Sequence, residues 1–491
     1  MIADLLSQLA DRLPFEPLAG LIGIPAVAAL LLAAIPAFRL SATLNIAASL
    51  AAFLVSLTLL VRRPAAGTYL MVDDLNTLFV VLGSFVGLTT AIYSASYIGF
   101  ELRTRRFKPL YVRFYHAMFQ ALMFAMTLAL TANNIGLMWV AIELGTLATV
   151  LVVGSYQTEA GLEAAWKYFI LASVAIALAL FGTILVYMAA RPVMGEGNEA
   201  MQWTALMAKA QDFRPELLNI AFVFLILGYG TKVGLAPLHA WLPDAHSEGP
   251  TPISAVLSGL LLNVAVYAVL RYKMLMSANP AAIAPGPLMV TLGLTSLLFA
   301  ALMLYRRRDI KRLFAYSSIE HMGIITLVLG LGGPLANFGA LLHVIMHSLI
   351  KPAVFFTVGQ VTQAKGTQRM DEMRGLTESH PGLGWSLVVA VVALAGLPPL
   401  GMFMSEFVII AAVFAHTPWL ALALVLGLLL AFGALMARLT GLAFGKPLGK
   451  SVPVAVAWLP ISAHLTLALV AGIYLPPPLV AWLQAIARML G

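Results

Sequence analysis

Apolar segments of membrane-spanning length constrain this chain more than any other feature. Fourteen runs of about 18 or more mainly apolar residues follow one another between positions 18 and 474. Only 10% of the 491 residues are charged, whereas soluble domains carry about 25%. The sequence therefore predicts an all-α polytopic membrane protein with about 14 transmembrane helices, embedded in the lipid bilayer.

Composition excludes several kinds of site. The chain has no cysteine, which excludes disulfides and cysteine-bound iron–sulfur or zinc centres. No nucleotide-binding loop, catalytic triad or haem-ligand arrangement stands out, so we expect no cofactor on this chain. The net charge of +8 does not indicate nucleic acid, because the basic residues cluster in short loops between apolar runs.

The distribution of basic residues predicts the orientation. Seventeen of the 29 Lys and Arg residues fall in loops on one side of the membrane and nine on the other. Because basic loops stay in the cytoplasm, we expect both termini outside, in a prokaryotic cytoplasmic (inner) membrane. The segment before the first apolar run has neither the basic region nor the cleavage site of a signal peptide. The tail after Pro478 is short and amphipathic, which is typical of an interfacial helix.

Two halves of the chain carry similar features in similar order. Each half has a proline-interrupted span beside its last intramembrane charge, at Pro237 and at Pro398-Pro399. Five spans per half is an odd number, so the second half would insert upside down relative to the first. We expect an N-terminal three-helix segment (1–113), two inverted five-helix repeats (114–272 and 273–443), and a last helix with an interfacial tail (444–491).

Six charges remain inside apolar spans after the loops are assigned. Such residues are costly in lipid and are usually functional. Three are lysines and three are glutamates, which suits intramembrane ion pairs. Glu143 is the natural partner of Lys232. A static salt bridge that only fixes packing is the alternative. The six are Glu143, Lys167, Lys232, Glu320, Lys351 and Glu406.

Three residues are spaced four apart on one predicted helix: His343, His347 and Lys351. They share one face, and imidazole both accepts and donates protons near neutral pH, so the stripe suits a proton relay towards Lys351. A structural histidine pair is one alternative. A metal site is another, although it would want a third ligand, which that helix does not carry.

Other polar residues flank these spans. Glu406 follows the second break and suits an exit group for protons. Glu320 and His321 suit a bridge between the halves, and His239 is expected to line the cavity at the first break. His464, alone in the last apolar span, is more typical of a packed or lipid-edge histidine. Three residues at the expected cytoplasmic mouth either collect protons or form a solvated loop: Asp244, His246 and Glu248.

Four sequence segments resemble a known family. They are KVGLAPLHAWLPDAHSEGPTPISAVLSG (232–259), RRDIKRLFAYSSIEHMG (307–323), LLHVIMHSLIKPAVFF (341–356) and LAGLPPLGMFMSEF (394–407). They are similar to the antiporter-like subunits shared by respiratory complex I, Mrp-type sodium/proton antiporters and energy-converting membrane-bound hydrogenases. The similarity spans roughly 70–445, and the hydrogenase-4 component F branch is the most similar.

This resemblance implies two inverted five-helix bundles, each with a half-channel, joined by a hydrophilic axis. Glu143 and Lys232 look like the conserved pair of the first half, and Lys167 like the intervening lysine. Lys351 looks like the central lysine of the second half, and Glu406 like its terminal residue. Two positions depart from the pattern of many relatives. This chain has Ser258 where they have a histidine, and Asn263 where they have a lysine. The link between the halves is therefore expected to use water or His239.

The resemblance implies a proton-translocating membrane subunit of a redox-driven, hydrogenase-type or complex I-like assembly. Its partners would be other membrane subunits of the same family and a peripheral redox module, which would carry the iron–sulfur clusters and a nickel–iron centre or flavin. The alternative is a subunit of a multi-subunit Na⁺/H⁺ antiporter without a redox partner. A non-transporting scaffold is disfavoured, because a scaffold gains little from six intramembrane charges. The sequence does not choose between H⁺ and Na⁺.

Overall fold

The computed structural model describes residues 2–108 and 110–491. Apart from isolated β-bridges, the regular secondary structure in these ranges is helical. The helices in the first half of the chain are α1 (Ile2–Arg12), α2 (Pro17–Ala34), α3 (Phe38–Thr58), α4 (Asp74–Arg103), α5 (Leu110–Thr131), α6 (Ile135–Val153), α7 (Glu159–Met194), α8 (Trp203–Lys209) and α9 (Pro215–Val233). The others are α10 (Trp241–Glu248), α11 (Thr251–Val256), α12 (Leu262–Ser277), α13 (Gly286–Leu304), α14 (Ile310–Leu331), α15 (Pro334–Lys365), α16 (Leu376–Ser379), α17 (Pro381–Leu394), α18 (Gly401–His416), α19 (Pro418–Ala443), α20 (Trp458–Ile473) and α21 (Pro477–Met489).

The prediction of an all-α polytopic membrane protein is confirmed. In the described residues, 12 helices are long and apolar enough to cross a membrane, or 13 if α20 and α21 count as one span. The remaining difference from the expected fourteen is the run 385–413, which the structure divides into α17 and α18. The predicted amphipathic tail forms α21, which bends 85° away from α20.

Both predicted helix breaks are present. The first lies between Val233 and Trp241, and the second between Leu394 and Gly401. A break inside a membrane leaves backbone groups that only neighbouring protein or water can satisfy. At the first break the hydroxyl of Ser296 accepts a hydrogen bond from the amide of Ala236 at 2.8 Å.

The chain folds into two units, each built from segments that are distant in sequence. Unit 1 comprises Met1–Ala91, Arg105–Val233 and Leu260–Pro285. In it α7 packs closely on α9, since a Cβ at Gly228 would lie 2.6 Å from the carbonyl oxygen of Ala175. Small residues allow such close approach between membrane helices. At the end of α12, buried Arg271 pairs with Asp73 at 2.7 Å, which ties α12 to the start of α4.

Unit 2 comprises Ile92–Thr104, Gly234–Gly259 and Gly286–Gly491. Its central helices are α14 and α15. In each of them, 94% of the residues in the most apolar 18-residue stretch are buried. Helix α13 packs tightly on α14, since a Cβ at Gly323 would lie 2.7 Å from the carbonyl oxygen of Gly293. These two central helices carry five of the expected site residues: Glu320, His321, His343, His347 and Lys351. The inverted relation of the repeats, and their domain bounds, stay predictions.

Candidate functional site

In unit 1, Lys232 and Glu143 form the buried pair expected from the sequence. Lys232 Nζ lies 3.6 Å from Glu143 Oε2, and the two side chains are 1% and 18% exposed. Lys232 also donates a hydrogen bond to the hydroxyl of Thr146, one turn after Glu143 on α6. A lysine in an apolar helix needs such partners, because an isolated ammonium is costly to bury. The pair can therefore hold a proton within the membrane-spanning region.

Lys167 is not part of this buried cluster. The sequence placed it inside an apolar span, whereas its side chain is 51% exposed and pairs with exposed Glu163 at 2.6 Å. Lys167 therefore lies within an apolar span without being buried in unit 1. Lys167 lies in the first turns of α7, on a face that the described chain leaves uncovered. Its part in proton transfer stays a prediction.

In unit 2, Lys351 is completely buried on α15. Its ammonium donates to the carbonyl oxygen of Phe314 at 2.9 Å and to the hydroxyl of Ser317. The next residue, Ser318, lies 2.9 Å from Ser258 through their hydroxyl groups. Ser258 thus extends a series of polar groups that begins at Lys351.

A series of hydrogen bonds joins three elements of unit 2. His343 Nδ1 lies 2.9 Å from the hydroxyl of Ser405 on α18, and His343 Nε2 lies 3.0 Å from His321 Nδ1 on α14. His321 Nε2 has no hydrogen-bond partner in the described residues, but it lies 3.5 Å from Glu320 Oε2. All four side chains are buried. We call Ser405, His343, His321 and Glu320 the histidine series.

His347 lies beside this series without joining it by a hydrogen bond. Its ring centroid is 5.7 Å from that of His321, and neither of its ring nitrogens has a hydrogen-bond partner among the residues described. Buried polar atoms are normally satisfied, so this imidazole suits a contact with internal water. The predicted stripe of His343, His347 and Lys351 therefore faces polar groups of α14 and α18.

The histidine series ends at a cavity of about 230 Å³. Glu320, His321 and Glu406 line it together with Gly396 and apolar side chains of α18 and α19. Gly396 lies in the second break with a positive φ of 68°, and a Cβ there would collide with the carboxylate of Glu406. The break thus makes room for this carboxylate, and both glutamates meet at one cavity.

His239 lies in the first break, as expected. Its ring centroid is 4.7 Å from Phe299 and 6.1 Å from Tyr316. Its Nδ1 atom is buried without a hydrogen-bond partner within 2–108 and 110–491. The aromatic neighbours hold the ring in place, and the unsatisfied nitrogen suits water at the break.

The sequence missed two buried groups near the first break. His246 was expected in a mouth or solvated loop, but it is 0% exposed and stacks on Phe355 with a centroid distance of 4.8 Å. Neither ring nitrogen has a hydrogen-bond partner in the described chain. Lys311, assigned to a basic loop, is also buried and donates to the carbonyl oxygens of Ser247 and Gly249 at 2.8 and 2.7 Å.

The two acids expected at this mouth are paired instead of free. Arg312 contacts Asp244 at 3.1 Å and Glu248 at 3.8 Å. Within the described ranges, no group of three or more His, Asp or Glu residues is arranged to hold a metal ion. The residues that unit 2 brings together are proton donors and acceptors. In the sequence, the position of His246 two residues after Asp244 was the sign that it belongs to this group.

The chain is similar to known membrane subunits along most of its length. A family model described as the transmembrane region of NADH:quinone oxidoreductase and Mrp antiporter subunits matches residues 132–431. A hydrogenase-4 component F homolog of Methylacidiphilum infernorum is 56% identical over 466 residues, which cover 95% of this chain and 98% of that protein. NADH-quinone oxidoreductase subunit N of Desulforudis audaxviator is 30% identical over 368 residues, covering 73% and 69% of the two chains.

A solved structure shows the same fold. A chain of the membrane-bound sulfane sulfur reductase, an archaeal respiratory membrane complex, superposes with a TM-score of 0.85 at 22% identity. The match covers 96% of this chain and 97% of that one. All residues of the Lys232–Glu143 pair and the histidine series lie within the region that the family model matches. The resemblance inferred from the four segments is confirmed, and the chain belongs to the family of transmembrane subunits shared by NADH:quinone oxidoreductases and Mrp antiporters.

Proposed function

We propose that this chain translocates protons through the Lys232–Glu143 pair and the histidine series, as a membrane subunit of a redox-driven hydrogenase-type or complex I-like assembly. The observation that carries this proposal is the histidine series itself. It brings two imidazoles, a carboxylate and a hydroxyl into contact inside a unit whose surroundings are apolar. Each of these groups accepts and donates protons, which suits a proton path better than it suits packing.

The pair in unit 1 acts as a proton-holding site. The ammonium of Lys232 is stabilised by the nearby carboxylate of Glu143. If negative charge moves away from the pair, the ammonium loses this stabilisation and its proton leaves. A redox reaction in a partner subunit would supply the charge movement, so this chain needs no cofactor of its own.

In unit 2 the proton would enter near the first break. His246 directly precedes Ser247, whose carbonyl oxygen accepts a hydrogen bond from Lys311, and the two ring nitrogens of His246 lack hydrogen-bond partners in the described residues. Water in contact with these nitrogens would connect the acidic residues Asp244 and Glu248 with Lys351. From Lys351 the proton would pass through His347 to the histidine series.

Glu320 and Glu406 form the end of this path. Both carboxylates line one cavity of about 230 Å³, where one accepts a proton that the other releases. Imidazole, ammonium and carboxylate groups all titrate, whereas Na⁺ and similar hard cations prefer several oxygen ligands. The composition of the path thus favours H⁺ as the transported ion.

The assembly around the chain follows from its relatives. The family contains subunits of multi-subunit membrane complexes, which supports other membrane subunits of this family and a peripheral redox module as the partners. That module would hold the iron–sulfur clusters and the nickel–iron centre or flavin. The distribution of basic loops supports an orientation with both termini outside the cytoplasm of a prokaryotic cell.

The test is proton pumping by the intact complex in sealed vesicles, compared with its electron-transfer rate. Lys351→Met removes the buried ammonium at similar length, so we expect electron transfer without pumping. Lys450→Met, in an exposed loop, is the matched control and should pump normally. Normal pumping by the Lys351→Met complex would overturn the proposed path.

Purification from native membrane tests the alternative function. The family model also covers Mrp antiporters, for which no redox partner is needed. A copurifying protein with iron, nickel or flavin supports the redox-driven assembly. A complex without any redox centre that exchanges Na⁺ for H⁺ would establish the antiporter instead.

A further inference from the structure

A basic cavity of about 620 Å³ lies in unit 2, where α13 and α19 end. We call it the arginine cavity. It takes no part in the proton path, and it lies on the side where the sequence predicts the cytoplasm. Its polar lining consists of Tyr305, Arg306, Arg308, Asp371, Arg374 and Arg438.

The cavity has a large excess of positive charge. None of its four arginines forms an ion pair with a carboxylate of the described chain. Its one acid, Asp371, is held by Arg369 through two hydrogen bonds of 3.2 and 2.8 Å. These bonds keep the pKa of Asp371 below its usual range, so this carboxylate stays ionised and committed to Arg369. The cavity therefore offers a net positive charge to an anionic ligand.

One arginine is already fixed in position. Arg438 on α19 donates from a terminal nitrogen to the carbonyl oxygen of Tyr305 at 2.5 Å, which ties the end of α19 to the end of α13. A guanidinium group has five N–H donors, so Arg438 retains further donors. Arginine forks match the oxygen geometry of phosphate.

The surroundings place the cavity at the membrane surface. Tyr305 is 45% exposed, Phe444 44% and Trp385 54%. Trp385 and Phe444 also contact each other, with centroids 6.2 Å apart. Exposed aromatic rings of this kind mark the boundary between lipid tails and headgroups.

Apolar groups continue from the cavity towards the lipid. Met370, Met373 and Leu442 line the cavity beside the arginines, and Phe444, two residues after Leu442, is 44% exposed. A ligand with an anionic head and an apolar body matches this arrangement, whereas a free anion would use only the arginines. An acidic protein surface would not account for the apolar continuation.

We infer that the arginine cavity binds the phosphate headgroup of an anionic phospholipid, whose acyl chains lie along the outer face of α19. Basic pockets between transmembrane helices on the cytoplasmic side are suited to such headgroups. The other basic loops are explained by topology alone. The lipid would join the ends of α13 and α19 and the loop around Arg374.

The test uses the purified full chain in detergent, stripped of lipid, with phosphatidylglycerol as the probe. Native mass spectrometry would count the bound lipids and give the Kd. The variant is the double substitution Arg306→Gln and Arg374→Gln. Its control is Arg103→Gln with Arg106→Gln, which removes the same charge from the exposed end of α4 and the residues after it, outside the cavity.

We expect one tightly bound phosphatidylglycerol, and about 30-fold weaker binding in the cavity variant, because each basic residue near an anionic lipid contributes about fivefold. The control should bind as the unchanged chain does. Equal loss in both variants would overturn the site, as would equal binding of zwitterionic phosphatidylcholine. Displacement of the lipid by millimolar inorganic phosphate would assign the cavity to a free phosphate ion instead. A thermal melt of each variant checks that the fold is retained.

Discussion

His464 Nδ1 lies 2.7 Å from the carbonyl oxygen of Leu349, two residues before Lys351. A carbonyl only accepts, so Nδ1 carries the proton and donates it. Pro352 follows Lys351 inside α15 and removes one backbone hydrogen bond at this point of the helix. The imidazole of α20 also packs against Phe356 with a centroid distance of 5.8 Å. Helix α20 therefore holds α15 where Lys351 enters the polar centre of unit 2.

We predict that His464→Ala lowers pumping by changing the position of Lys351. Loss of this buried hydrogen bond should destabilise the chain by only about 1–3 kcal/mol, so the protein still folds. The pH dependence of pumping should shift, since Lys351 meets different neighbours. His464→Gln, which retains a donor, should recover much of the activity, and exposed His416→Ala should have no effect. A normal pH profile for His464→Ala would mean that the histidine only packs.

The Lys232–Glu143 pair makes a second prediction. Removing one partner leaves an unpaired buried charge, which costs up to about 3–5 kcal/mol, so single variants confound stability with function. The double variant Lys232→Met with Glu143→Leu replaces the pair by apolar groups and should recover stability. We expect it to fold, as measured by thermal unfolding, and not to pump. Pumping by this double variant would show that the pair is a static salt bridge.

The sequence predicted the helix breaks, the Lys232–Glu143 pair and the charged face of α15 because each depends on local pattern. Prolines interrupt apolar runs, and residues four apart share a helix face. The direction in which a face points depends on the whole bundle. Lys167 illustrates this limit, since it lies in an apolar span yet points outwards. Glu163 lies four residues before Lys167, and this spacing in the sequence was the sign that the two form an exposed ion pair.

Long-range packing also explains the groups that the sequence undervalued. His246 and Lys311 were assigned to polar loops, but helices distant in sequence bury them. Arg271 was likewise counted as a loop residue, whereas it is 1% exposed and stacks on Trp203 at 4.2 Å. For His464, its isolation in an apolar span was itself a signal, because a buried imidazole needs a partner.

The histidine series makes a third prediction. His343→Asn retains a side-chain donor and acceptor that can reach towards Ser405 and His321, but an amide does not titrate. We expect thermal unfolding to change little and pumping to fall sharply, with electron transfer uncoupled from it. His380→Asn, at a partly exposed histidine outside the series, is the control. Retained pumping in His343→Asn would show that protons bypass this histidine, for instance through His347.

The fourth prediction concerns Gly396, which leaves room for the carboxylate of Glu406. Its positive φ of 68° costs any other L-residue about 1–2 kcal/mol, and a Cβ would collide with the carboxylate of Glu406. Gly396→Ala should therefore move this carboxylate away from the cavity that it shares with Glu320. A displacement of about 1 Å in a reacting group can cost about 100-fold in rate, so pumping should fall much more than stability. Gly23→Ala, on a helix where a Cβ meets open space, should leave both unchanged. If Gly396→Ala pumps normally while its melting temperature falls, the carboxylate of Glu406 need not occupy this position for proton exit.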